Sequence, residues 1–277
     1  MRRRVFLGAS LSLAAWPAPA QERAVRFSVS GALTQGSLAV GTAPPGSLVA
    51  LDGRPLRVTG DGRFTFGFAP DQTRASLVTV RYPEGGGDSK SFTPSPRQYE
   101  TQRVNGLPQK TVTPPPEVRE RIAREAETVY LARLNDSAGS DFLSGFDWPS
   151  PGILSGVFGS QRIDNGVAMA PHFGVDMAAP VGTPIVAPAD GVVSISADHY
   201  LDGGLTLIDH GQGVSTAYLH QSKRLVKAGE AVKRGQRIGV IGATGRATGP
   251  HLHWAMNWFE VRLDPSLSTK KPKPEPL

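Results

Sequence analysis

The hydrophobic pattern divides the chain into stretches of different period. Over residues 21–102, short apolar runs at 36–40, 47–51, 56–58, 64–68 and 77–80 alternate with turn residues. Asp52-Gly53 and Asp61-Gly62 stand between runs, where hairpin turns need a positive φ. Strands spaced about ten residues apart predict a small β-sandwich-like module. Residues 103–147 are a Pro-rich linker, and within it 117–134 reads as a helix. Thr113 or a proline opens this helix, Glu117 and Glu120 lie in its first turn, and Val118, Ile122, Ala126, Val129 and Arg133 share a face. Its charges nearly cancel, so it is expected to be a strut packed on a domain, with one solvated face. Over residues 148–266 Gly, Val and Ile dominate and no amphipathic helix is evident. Turns alternating with single apolar residues over 227–239 predict a tightly folded, barrel-sandwich-like β domain. The chain is therefore expected to be mainly β, with a basic, Pro-rich tail over 267–277.

The N-terminus has a different character. Arg2, Arg3 and Arg4 precede an apolar stretch over 5–15, too short to span a bilayer core of about 30 Å as a helix. Ala18-Pro19-Ala20 then offers small residues at the −3 and −1 positions. Residues 1–20 are expected to be a signal peptide, leaving no transmembrane segment in the mature protein. Arg3-Arg4-Val5-Phe6-Leu7 also resembles a twin-arginine signal, although Arg2 rather than Ser or Thr precedes the pair. The general secretory and twin-arginine routes both stay open.

Composition removes several function classes. The formal net charge of +6 invites a nucleic-acid partner, but three of those charges sit on Arg2, Arg3 and Arg4 and a net two in the tail. Residues 21–269 are close to neutral, so no nucleic acid is expected. There is no cysteine, which excludes disulfides, thiolate zinc sites, Fe–S clusters, cysteine nucleophiles and cysteine-linked lipid anchors.

All six histidines fall between residues 172 and 253. His172 and Asp176 are four apart, a spacing that puts both on one face of a helix or of a strand, and the neighbouring Pro171, Gly174 and Pro180 favour extended chain. Over 251–258 the alternation is clean: Leu252, Trp254, Met256 and Trp258 on a core-facing side, His251, His253, Ala255 and Asn257 on the other. His220 ends another apolar run and is expected to share a face with Thr216 and Tyr218. A His, Asp, His set with a fourth position open to water is the pattern of a catalytic zinc site. Zinc there lowers the pKa of bound water towards about 7 and polarises a carbonyl, leaving a need for a general base and an oxyanion donor. His199 and His210 are expected to be structural. Arg162 could grip a substrate carboxylate, with a packing or surface role at least as well supported, and Asn165 lies near it, both just upstream of His172.

His-x-x-x-Asp over 172–176, Tyr-x-His over 218–220 and His-x-His over 251–253 resemble the lysostaphin-type (LytM-type) zinc endopeptidases that cut peptidoglycan peptides. The glycine scaffold around them, GVFGSQR over 156–162, VAPADGVV over 186–193, GATGR over 242–246 and GPHLHW over 249–254, carries the same resemblance, over about residues 148–265. It implies one Zn²⁺ per chain on His172, Asp176 and His253. It implies His220 and His251 as general base and transition-state stabiliser, in unassigned order. It also implies an exported, periplasmic or cell-wall-associated enzyme acting on peptidoglycan peptide stems, with a D,D bond as the usual cut. A cell-wall regulator or adaptor is a further partner the resemblance suggests. The alternative is an inactive relative that binds and activates a cell-wall amidase; such regulators lack ligands, whereas all five residues are present here. A biotinyl- or lipoyl-type carrier module is disfavoured, because Lys223, Lys227 and Lys233 all lack the setting of a modified lysine.

Overall fold

The computed structural model of the chain describes residues 25–270 and residue 272. The expected signal peptide lies outside the described residues, as does most of the tail. The fold is mainly β, as the pattern predicts.

The first seven strands are β1 (Ser28–Ser30), β2 (Leu38–Thr42), β3 (Leu48–Leu51), β4 (Arg54–Leu56), β5 (Arg63–Gly67), β6 (Ser76–Arg81) and β7 (Gly87–Phe92). They make two antiparallel sheets, β1-β2-β5 and β4-β3-β6-β7. Phe64, Phe66, Phe68, Val78 and Val80 are fully buried. Asp52 and Gly53 both take a positive φ and close the β3–β4 hairpin. Asp61-Gly62 differs from expectation. It ends a tight turn where the chain passes from one sheet to the other, because β4 pairs with β3 and β5 with β2.

The linker contributes structure to the second half. Strand β8 (Thr101–Val104) is followed by a four-residue helix α1 (Gln109–Val112) and by α2 (Pro116–Arg133). Pro115 and Pro116 open α2, where their missing N–H groups cost nothing. Then come β9 (Ile153–Gly156), β10 (Gln161–Asp164), β11 (Val167–Ala168), β12 (Val175–Ala178), β13 (Pro184–Val186), β14 (Gly191–His199), β15 (Gly203–Asp209) and β16 (Val214–Gln221). The last five are β17 (Lys223–Arg224), β18 (Ala231–Val232), β19 (Arg237–Val240), β20 (His251–Trp258) and β21 (Val261–Leu263). An eight-stranded sheet runs β18-β14-β15-β16-β20-β12-β9, with β21 on β20. A second sheet is β13-β19-β17, and in a third β8 lies parallel to β10.

Both faces of the large sheet are covered. Leu252, Trp254, Met256 and Trp258 point into the core, as their alternation requires. The far end of the opposite face is buried too. There Val129 of α2 packs on Ile195, Leu205, Leu207, Ala217 and Ala255, and burying such a side chain stabilises by about 1.5–3 kcal/mol. Further along α2, Glu125 accepts from the Tyr200 N–H at 2.8 Å and the Tyr130 hydroxyl donates to Glu260 at 2.8 Å. Among the described residues no helix is long and apolar enough to cross a membrane.

The N-terminal sheets and the large sheet share one continuous core. Gly67 lies so close to Trp258, Val261 and Leu263 that a side chain there would meet all three. Arg97 donates to the buried Asp264 at 2.8 Å, and the Arg54 guanidinium lies 4.3 Å from the centre of the Phe259 ring. The module is packed onto its neighbour rather than strung beside it.

Candidate metal centre

Strands β12 and β20 run side by side with Asp176 opposite His253 and Ala178 opposite His251. His172 enters from the loop before β12, and its N–H is tied to the Ser160 carbonyl at 2.8 Å. Asp176 Oδ1 lies 3.0 Å from His172 Nε2 and 2.8 Å from His253 Nδ1, and the two ring nitrogens are 2.9 Å apart. His172 and Asp176 are buried. The structure thus brings the three expected ligands to one point.

Hydrogen bonding shows what this point fits. His172 Nδ1 faces the Val157 carbonyl at 3.1 Å, and a carbonyl only accepts, so the ring N–H is there. Nε2 is left as a bare lone pair facing a carboxylate oxygen and another ring nitrogen. Such a convergence is repulsive without a proton or a cation, and two imidazoles with one carboxylate are a zinc donor set. Burial pushes the Asp176 carboxyl up, but the positions of His172 and His253 against it outweigh that and hold it well below its usual range, so it stays an anion. Burial pushes His253 down to about 4, against the pull of Asp176, so it stays neutral and able to ligate.

Two glycines make room. A side chain on Gly156 would collide with Asp176 and His172, and one on Gly174 would lie 2.6 Å from His253 Nε2. Gly174→Ala is expected to weaken metal binding about 10–100-fold by turning the His253 ring. Competition with a chelator reads this; wild-type affinity in the variant would show that His253 has slack.

His220 and His251 face each other across the same opening, ring centres 4.7 Å apart, with His220 6.2 Å from His253. Each places Nδ1 on a backbone carbonyl, Thr244 at 2.8 Å and Gly249 at 2.9 Å, so each turns a bare Nε2 inward. His251 Nε2 is 3.9 Å from Asp176 Oδ1. Burial, then His251 and His253, push His220 down to about 3. The face expected for His220 is corrected. Thr216 and Tyr218 point to the core, whereas His220 lines the opening with Ala217 and Leu219. Its φ of +64° breaks the strand alternation and turns the ring to the other side.

The remaining histidines are structural in geometry. His199 contacts Asp202 at 3.2 Å. His210 is fully buried, donates from Nδ1 to the Asp190 carbonyl at 2.6 Å and accepts at Nε2 from Thr216, which in turn accepts from Tyr218. Burial pushes its pKa down from 6.5 to about 4. The unfolded chain takes up this proton near 6.5 and the folded chain only near 4, so His210's contribution to stability is whole above 6.5 and disappears as pH falls through 4. A loss on the order of 3 kcal/mol is expected, read as denaturant midpoints at about pH 7 and about pH 4. His210→Gln should show a smaller drop across that range; an equal drop would place the effect elsewhere.

Arg162 donates to Asp176 Oδ2 at 2.9 Å, so it orients a ligand rather than facing open space. Asn165 instead clamps the linker, bonding the Leu107 carbonyl at 2.9 Å. Two cavities flank the cluster. One, of about 330 Å³, is walled by Val129 and Arg133 of α2, Phe173, Asp202, Arg246 and Arg262. The other, of about 270 Å³, lies between Gln102 and Val104 of β8, Leu107 and the loop at 246–250. The wall residues Arg133, Asp202, Arg246 and Arg262 were not legible as site residues. One signal was present: Arg133 lies one turn beyond Val129 on the apolar stripe of α2.

Residues 170–265 match Peptidase family M23. The chain is 52% identical over 88 residues to the peptidoglycan DD-endopeptidase ShyA of Vibrio cholerae, covering 32% of this chain and 20% of that one. It is 48% identical over 142 residues to ShyB of the same organism, covering 48% and 33%. It therefore spans a fifth to a third of the length of these curated relatives. A solved Pseudomonas aeruginosa protein assigned to peptidase M23 is 31% identical, with a TM-score of 0.64 over 84% of this chain and 93% of that one. With that match extending over both halves of the fold, the chain belongs to peptidase family M23.

Proposed function

We propose that the chain is a zinc-dependent endopeptidase that hydrolyses the peptide cross-links of peptidoglycan, with a D,D bond as its target and the periplasm or cell wall as its place of work. The observation that carries this reading is the convergence of the His172, Asp176 and His253 donor atoms on a single point between two cavities, with the bare Nε2 atoms of His220 and His251 turned into the same opening. A site open on both sides suits a bond inside a cross-link, with peptide continuing in each direction. The relatives named peptidoglycan DD-endopeptidases support the substrate class.

His172, Asp176 and His253 would hold the zinc. Once bound, zinc supplies Lewis acidity, which polarises the scissile carbonyl and activates water. Val157 fixes the His172 tautomer and Arg162 holds the outer oxygen of Asp176, so the ligands are oriented before substrate arrives. His220 and His251, each anchored at Nδ1, present Nε2 as proton acceptors in the opening. One would take the proton of the attacking water and pass it to the leaving amine. The other, once protonated, would steady the developing oxyanion.

The test is mass spectrometry of muropeptides after isolated peptidoglycan is digested with the zinc-loaded chain. Cross-linked dimers are expected to become monomers, each cut adding one water. Survival of the dimers with stoichiometric zinc bound would sink the reading, and stimulation of an added amidase under those conditions would favour the regulator.

A further inference from the structure

The cavity beside α2 has an excess of positive charge that the chemistry above does not use. Arg133, Arg162, Arg246 and Arg262 line it against one carboxylate, Asp202. Arg162 is taken up by Asp176, and Asp202 faces His199. Among the described residues, Arg133, Arg246 and Arg262 make no ion pair and no side-chain hydrogen bond, and Arg133 Nε is buried without a partner. Burial, then Arg262 beside it, push Arg133 down to about 9; burial lowers Arg246 and Arg262 as well. Arg262 lies with its guanidinium 5.6 Å from the centre of the Phe173 ring, next in sequence to His172. Desolvated like charges side by side are costly, and unpaired ones are costlier. Asp202 attracts all three and Asp164 attracts Arg246, yet neither carboxylate closes an ion pair with them, so three guanidinium groups share the cavity wall without a direct partner among the described residues.

The planar guanidinium fork matches a carboxylate at two points. We propose that Arg133, Arg246 and Arg262 form a clamp for a free carboxylate of the stem peptide, so that the helical linker contributes a specificity residue to the cleft. This rests on the reading of the cleft as a peptidoglycan-peptide site. The clamp explains why α2 is docked at the groove wall: it carries Arg133 into the cavity that His172, His220 and His253 also line, while Val129, one turn earlier, anchors the helix.

Two synthetic cross-linked peptides test this, identical except that the stem carboxylates of one are carboxamides. The zinc-loaded wild-type chain is expected to prefer the acid by about 10–100-fold in kcat/KM, mostly through KM. Arg133→Gln and Arg262→Gln should each collapse that preference towards unity, and Arg133→Lys should retain part of it. Both Gln variants should melt at or above the wild-type temperature, because each removes an unpaired desolvated charge; a lowered melting temperature with an unaltered acid preference would mark a structural role and overturn the clamp. Equal turnover of acid and amide by the wild type would overturn it as well, while leaving the endopeptidase reading intact. If the wild type cleaves neither peptide, the endopeptidase reading fails by itself. The clamp is then judged by calorimetric binding of the uncross-linked tetrapeptide acid and its amide. Tighter acid binding that is lost in Arg133→Gln supports it, and equal binding overturns it. Inorganic phosphate, added as competitor, should displace the acid only weakly; binding as tight as the peptide's would assign the site to a different anion.

Discussion

His253→Ala is expected to yield a folded chain that retains no zinc and has lost cleavage by at least about 10³-fold, the scale of several kcal/mol of Lewis-acid stabilisation. His253 lies in β20, which is paired on both sides, so the strand survives the truncation. The ring does not support the core; Leu252 and Trp254 on the other face do that. What disappears is one of the three converging donors. Two donors remain, below the number a tetrahedral site with one open position needs. Elemental analysis after dialysis should give about one zinc per wild-type chain and a small fraction of that for the variant. Thermal melts supply an independent reading: added zinc should raise the wild-type melting temperature by mass action and leave the variant unmoved. Stoichiometric zinc in the dialysed variant would remove His253 from the ligand set.

Which side chains gather at the candidate site was more legible in the sequence than the architecture around them. His251 and His253 could be placed because a spacing of two in extended chain puts side chains on one face, and β20 is extended; Asp176 lies in β12, while His172 reaches it from the loop before that strand. His220 obeyed a different rule. Strict alternation puts it beside Tyr218 in the core, and only a left-handed residue brings it to the opening, a backbone choice with no composition signal. The two walls of the groove were harder to read for the same kind of reason. The strand at Thr101–Val104 is short and polar, and its partner β10 lies some sixty residues away, so local pattern is silent about the pairing. Helix α2 was visible as a helix, but its weak amphipathicity did not say which sheet it covers. The packing between the two modules was out of sight for the same reason. Apolar runs give strands, yet contacts such as Gly67 on Trp258 and Arg97 on Asp264 are tertiary and join the halves into one core. Removing residues 25–147 would therefore strip Val129 and the β8 edge from the catalytic half as well as a module.

His220→Ala should separate chemistry from metal binding. His220 is not among the converging donors, and its ring centre is 6.2 Å from that of His253, so the variant is expected to keep about one zinc per chain. Turnover should fall about 10²–10⁴-fold, the usual range for a lost general base, with the loss in kcat rather than in KM. The anchored tautomer makes the effect specific: with its N–H committed to the Thr244 carbonyl, His220 can only accept at Nε2. Burial beside His251 and His253 keeps it neutral, so at ordinary pH it is a vacant acceptor and not a standing cation. Backbone strain is the confounding effect, since the residue sits at φ +64° and alanine suffers there as histidine does. His220→Gly resolves it. Glycine tolerates that φ, so this variant should be more stable than His220→Ala by about 1 kcal/mol while losing turnover to the same extent. If His220→Gly recovers most of the lost rate, the defect in the alanine variant was conformational and the base must be sought at His251. If both variants keep zinc, differ in stability and share the same deep loss of kcat, His220 acts in the chemical step and not in holding the metal.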